Sequence, residues 1–191
     1  NCKLNINLKK QTDGSSPYCI MSIFAALATK ATSPKVELVN TDIEINGAAS
    51  SSAGRISNPF AYLFSKIGAK FYSVSLNQCN IHGTARVDWS LFEQMESVSI
   101  SNSQISIGGC DYHGYYINAP KRLQITGTTF TGRLGKYNTL VSVPNVKDYS
   151  HSIDNTTVDA SVSKLFTTSP DRRHTRITNV RNRTTNRPIT K

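Results

Sequence analysis

Two carboxyl groups facing each other across a sugar chain are the minimum equipment for hydrolysing a glycosidic bond. About 5 Å between them gives retention, and about 6.5–9.5 Å gives inversion. Asp88 and Asp111 are the pair in this chain that fits the requirement. They stand at offsets 14 and 13 from positions 74 and 98, where two successive copies of an internal repeat begin. Aromatic side chains accompany both: Trp89 beside the first, and Tyr112, Tyr115 and Tyr116 beside the second, with His113 adding a titratable group. Aromatic rings offer apolar faces with a polar handle, so these residues read as a carbohydrate-binding surface around a carboxylate pair. The alternative reading of the same residues is a solvated loop with ordinary surface acids.

Polysaccharide lyase chemistry asks instead for a base beside a group that neutralises a uronate. Lys121 and Arg122 follow His113 and Tyr116 in the same repeat and can form such a constellation, or they are the turn before a strand. His151 occupies an apolar repeat position and is expected to be a partly buried, satisfied side chain. His174, in an Arg-rich turn, is expected at the surface. Cys2, Cys19, Cys79 and Cys110 lack metal-ligand spacing, so neither a metal nor a cofactor is expected and the thiols read as scattered and buried. No Ser-His-Asp arrangement, phosphate loop or dinucleotide fingerprint is present.

Positioning these residues is the task of a repeat. Its template is apolar, any, apolar, any, Asn or Gly, any, any, apolar. Val36–Ile43, Val98–Ile105 and Leu123–Phe130 match it fully. Val74–Ile81 has Gln at the turn position, His151–Val158 a polar first residue, and Thr175–Asn182 is degenerate. The starts at 36, 74, 98, 123, 151 and 175 are separated by steps of 38, 24, 25, 28 and 24. Alternation inside each copy is the strand period, and Asn or Gly marks a bend because both tolerate left-handed backbone. A further apolar stretch precedes the next copy: Ile23-Phe24, Tyr62–Phe64, Trp89–Phe92, Tyr115–Ile117, Leu140–Val143 and Leu165-Phe166. Three short strands and three bends per unit predict an all-β solenoid, a parallel β-helix of about six to seven coils over residues 36–182. Residues 1–35 are expected to form a cap or incomplete first coil, and 183–191 a basic tail. An antiparallel sandwich is the competing architecture, but sandwiches do not repeat one template at a fixed step. The Asn40, Asn102, Asn155 and Asn179 column predicts an amide ladder.

Composition agrees with strands and turns. Ser, Thr and Asn supply 58 of the 191 residues, while apolar residues make up 38% and charged residues 18%, which excludes a helical bundle or coiled coil. No run of 18 apolar residues exists, so no membrane span is expected. The chain starts with Asn and reads as a processed product or a piece of a longer chain. Its net charge of +10 predicts attraction to polyanions. Seven basic residues and no acid lie between Arg172 and Lys191. This region reads first as a subunit or domain contact, then as a site for anionic sugar. Nucleic acid ranks last, since no stacking aromatic follows Phe166.

The template over 36–182 resembles that of the right-handed parallel β-helix superfamily of pectate lyases, polygalacturonases and bacteriophage tailspikes. The Ser/Thr/Asn-rich texture is closer to a tailspike or tail fibre than to a secreted lyase. The resemblance implies a right-handed helix, a homotrimer, and a place in the virion (phage tail) or outside the cell beside other virion proteins. It further implies binding of bacterial surface polysaccharide, or, as the alternative, depolymerisation of acidic glycan by a hydrolase or lyase. A spacer that touches no glycan is the third expectation.

Overall fold

The computed structural model describes residues 1–7, 18–20, 24–25, 35–46, 55–56, 60–61, 73–84, 86–87, 90–93, 95–106, 116–118, 120–132, 139–143, 149–168 and 171–189. Of these, 6–7, 18–20, 24–25, 55–56, 60–61, 86–87 and 93 are described as backbone alone. They form a parallel β-solenoid, and no α-helix occurs among them. The strand pairs are all parallel apart from one isolated antiparallel bridge, Arg181 to Pro188, which rules out a sandwich.

Every copy of the template stacks on the next without slippage. On the first face Val36, Val74, Val98, Leu123, His151 and Thr175 are successive register partners, and Leu38, Leu76, Ile100, Ile125, Ile153 and Ile177 run parallel to them. The second face stacks Leu4, Ile43, Ile81, Ile105 and Phe130. The third stacks Phe24, Phe60, Phe92, Ile117, Val141 and Phe166. A shorter sheet pairs Tyr18–Ile20, Arg55–Ile56 and Arg86–Val87. A one-residue slip would turn each apolar column outward, so the hydrophobic pattern specifies the register. Side chains from the three main faces meet in one core, where Leu76, Ile100, Ile105, Ile125, Phe130 and Ile153 are fully buried.

The structure corrects two details of the sequence reading, the number of coils and the burial of Cys2. Complete coils with three separate strands and described side chains number about three (73–93, 97–118 and 122–142), not six to seven. The next copy fuses two faces into the nine-residue strand Ser150–Val158, and the last, Thr175–Asn182, has no third-face strand among the described residues. The apolar stretch Tyr62–Phe64 lies outside the described residues, and the third-face strand described just before it is Phe60–Ala61. Cys2, expected to be buried, is exposed, while Cys79 is buried as a free thiol. Residues 1–35 contribute real rungs: Cys2–Asn7 pairs in parallel with Thr41–Asn46.

The bend column behaves as its composition demands. Asn40, Gln78, Asn102, Asn155 and Asn179 have φ between 44° and 54°, and Gly127 has φ 56°. Behind it lies a feature that the template recorded only as "any": the buried column Thr41, Cys79, Ser103, Thr128, Thr156 and Val180. Four of its hydroxyls donate to the carbonyl two residues earlier: Thr41 to Val39 at 3.1 Å, Ser103 to Ser101 at 2.7 Å, Thr128 to Thr126 at 3.0 Å and Thr156 to Asp154 at 2.8 Å. The carbonyls of Ser101, Thr126 and Asp154 also accept a backbone amide from the neighbouring rung, so at these bends the hydroxyl is a second, local donor. The expected amide ladder is reduced to one described rung, Asn179 Nδ2 donating to Asn155 Oδ1 at 2.7 Å. Gln78 and Gly127 interrupt the column elsewhere, and a Cβ on Gly127 would stand 2.7 Å from Asn102 Oδ1.

Left-handed backbone costs an L-residue without a compensating side chain roughly 1–2 kcal/mol. Asn102→Ala is therefore expected to lower stability by about 1 kcal/mol, and Asn102→Gly to leave it nearly unchanged. Urea midpoints of the two variants check this; equal losses in both would assign the cost to the amide instead of the backbone.

Candidate functional site

Alternation that buries Val98 and Ile100 necessarily turns Ser97 and Ser99 outward, and the same rule presents Arg122 and Gln124, then Ser150 and Ser152, on the next rungs. Register aligns Ser97, Arg122 and Ser150 in one outer column, and Ser99, Gln124, Ser152 and Arg176 in another. Before the last rung the chain makes a 3-10 turn, Arg172–His174, whose leading residue Asp171 accepts a hydrogen bond from the Arg173 amide at 2.9 Å. The turn closes one end of the two columns. Together they form a groove of about 660 Å³ lined by these serines, Gln124, the turn and Arg176.

Among the described residues, four arginines and no carboxylate line the groove. Two of the four are neutralised from behind. Arg122 Nη2 lies 3.0 Å from Glu96 Oε1, and Lys121 Nζ lies 3.0 Å from Glu96 Oε2. The Glu96 side chain is only 7% exposed, so the two cations offset the cost of burying its charge and are themselves held in place. Arg173 grips Asp171, with Nη2 at 2.8 Å from Oδ2. Hydrogen bonds from the Arg173 side chain and amide hold the Asp171 carboxyl down to about 2. Arg172 and Arg176 have no acidic partner among the described residues; the Arg176 Nε donates only to Thr178 Oγ1, at 3.4 Å. Their charge is available to a ligand.

The residues expected to carry chemistry divide sharply. Asp88, Trp89, Asp111, Tyr112, His113 and Tyr115 lie outside the described residues. Tyr116 is fully buried: its hydroxyl donates to the Thr131 carbonyl at 2.8 Å and its ring packs on Phe130 with centroids 5.2 Å apart. A carbohydrate-binding role for Tyr116 is therefore corrected to a core role. Tyr116 lies in the bend just before the strand Ile117–Asn118, so it escapes the alternation and is buried together with Ile117, where a glycan cannot reach. Lys121 and Arg122 are exposed on the surface, and the structure brings Arg122, and not Tyr116, together with the later arginines. The serines at 97, 99, 150 and 152 were missed. Their signal was present as polar residues flanking each apolar template position.

His151 is the polar member of the first buried column. Its Nε2 donates to the Pro120 carbonyl at 3.3 Å, Tyr149 stacks on one side and Phe166 packs on the other, while Nδ1 has no partner among the described residues. It is buried as expected but only half satisfied. Burial pushes its pKa below the usual 6.5, against a smaller upward pull from the Pro120 carbonyl. Because the folded value lies below the unfolded one, the unfolded chain binds the extra proton, and stability falls as pH drops through about 6.5. His151→Leu is expected to reduce the drop in Tm between about pH 7.5 and 5.5. An unchanged drop would place the pH dependence elsewhere.

A second polar group sits on the outer second face, where Asp42 Oδ1 is 2.8 Å from Asn80 Nδ2 and 3.0 Å from His82 Nε2, with Lys3 Nζ 3.7 Å from Oδ2. Hydrogen bonding by Asn80 first, then the charge and hydrogen bond of His82, lowers the Asp42 pKa. Its donors saturate the carboxylate, and no group of three or more metal-ligating side chains occurs among the described residues. No helix of the described residues is long and apolar enough to cross a membrane. Comparison with protein-family models, with curated proteins and with solved structures finds no match for this chain.

Proposed function

We propose that this chain binds an anionic polysaccharide along the outer first face of its solenoid. The observation that carries the reading is the pairing of two arginines, Arg172 and Arg176, with columns of serine and glutamine in a groove where the described residues supply neither of them an acidic partner nor any lining carboxylate. Guanidinium groups bind carboxylates through paired, charge-assisted hydrogen bonds, and hydroxyl and amide side chains exchange hydrogen bonds with sugar hydroxyls. Rungs spaced roughly 4.8 Å apart repeat those donors at about the length of one sugar ring, so a polymer meets the same contacts several times. Among the described residues no Phe, Tyr or Trp lines the groove, which favours sugar over stacked bases. The same residues bring no carboxylate to it, which favours binding over hydrolysis.

In this reading the chain is a coil segment of a tailspike- or fibre-type virion protein that holds host surface polysaccharide, assembled as a homotrimer. Support comes from the parallel solenoid and the likeness of its template. Sedimentation equilibrium tests the trimer, and a monomer across the accessible concentration range would remove it.

The binding reading is tested by titrating the protein with sodium polygalacturonate, neutral dextran and duplex DNA at about 50 and 200 mM salt, with polymer size followed by chromatography. Polygalacturonate is expected to bind, to weaken with salt and to stay intact, while dextran is not retained. Failure to bind polygalacturonate at low salt, or tighter binding of DNA, overturns the proposal. Shortened polymer would favour the depolymerase alternative and return attention to Asp88 and Asp111.

A further inference from the structure

Among the described residues, the last rung is covered on one half and bare on the other. Beyond Val180–Asn182 the chain turns through Asn186 and lies back antiparallel on its own strand. Ile189 N donates to Val180 O at 2.9 Å, Asn182 N donates to Arg187 O at 2.9 Å, and Ile189 itself is buried. Over Thr175–Thr178 no strand pairs on that side among the described residues, since the one strand paired with this part, Ser150–Val158, lies on the opposite edge. Two side chains register the missing cover. Ile177 is only partly buried, whereas its register partner Ile153 is fully buried, and Thr175 Oγ1 is buried without a hydrogen-bond partner.

We infer that this bare edge receives a single extended peptide segment of a partner, alternating apolar and acidic residues. An edge with unpaired amides and carbonyls is a template for strand addition, and the chain's own tail already uses the adjoining half of the same strand in that way. Alternation dictates the partner's side chains. Those over Ile177 face the core and are apolar; those in line with Arg176 face outward, where Arg172 and Arg176 make acidic residues complementary. A second copy of this chain does not fit. Its Lys35–Val39 strand has a suitable pattern, with Val36 and Leu38 inward and Glu37 outward. But Cys2–Asn7 rises one rung above it on the neighbouring face and would take the place of Val180–Asn182. A lone strand meets no such step.

The test uses the full chain and a fluorescein-labelled eight-residue peptide alternating valine and glutamate, read by anisotropy. Saturable binding is expected. Backbone N-methylation at every second residue gives two further peptides, because alternate amides of a strand point to opposite sides. One is expected to bind roughly tenfold or more weakly and the other to bind as the parent does. Arg176→Glu is expected to weaken the glutamate peptide and to accept a valine–lysine peptide instead. Equal binding of the parent and both methylated peptides, or of an eight-residue polyglutamate, would overturn strand addition and leave simple charge attraction to the groove. No binding of the parent peptide would overturn it outright.

Discussion

Arg172→Glu combined with Arg176→Glu is expected to lower affinity for polygalacturonate by about 10- to 100-fold at low salt while leaving Tm within about 2 °C of the parent. Both side chains are exposed, and neither has an acidic partner among the described residues, so their removal costs the fold little. Each charge-assisted hydrogen bond to a ligand is worth about 1.5 kcal/mol at the lower end, discounted for exposure, and each 1.4 kcal/mol is tenfold in affinity. Reversal adds repulsion to the loss. The residual binding should also show a flatter salt dependence, since fewer counterions are exchanged. Arg173→Glu is the informative contrast. Its guanidinium is engaged by Asp171, so its loss should act through the 3-10 turn it braces and reduce affinity less. Unchanged affinity in the double reversal would move the ligand away from this groove.

Ile125→Ala is expected to destabilise the protein by about 2–5 kcal/mol, lowering Tm by roughly 5–15 °C. Ile125 is the middle of a column in which Ile100, Ile125 and Ile153 are all fully buried and in register across three rungs. Removing it takes away the transfer energy of the methyl groups and also leaves a cavity that two stacked neighbours, held by their backbone ladders, cannot collapse to fill. Ile177→Ala on the last rung, where the side chain is only partly buried, should cost about 1 kcal/mol or less, since less apolar area leaves water on folding. Thermal melts of both variants decide the matter, and equal losses would mean that the last rung is as tightly packed as the middle.

The contrast between those two isoleucines shows where local reasoning stops. Val98-Ser99-Ile100-Ser101-Asn102 states its own structure: alternation makes the strand, and Asn102 makes the bend at φ 48°. That is why the faces, the register and the bend column were legible residue by residue. Ser103 was not legible in the same way. Its role depends on donating to Ser101 O while accepting from the Cys79 amide of the neighbouring rung at 3.1 Å, a partner 24 residues away. Tyr116 was misassigned because an aromatic beside charged residues looks like a sugar platform in one dimension. Only its burial and the bond from its hydroxyl to the Thr131 carbonyl, 15 residues away, show that its ring points inward.

By itself the amino-acid order determined a parallel β-solenoid, since period-two alternation, left-handed-tolerant bend residues and a near-constant step are each local properties that stacking can only satisfy together. The tertiary structure alone decided which outward residues share a surface. Ser97, Arg122, Ser150 and Arg172 are separated by 25, 28 and 22 positions, and they become neighbours only when the coils close and the turn before the last rung folds over them. The physical reason is that core positions are selected by burial, which leaves a pattern in the sequence. Outward positions are bound to water in every register and acquire a common role only through the geometry that the buried columns impose.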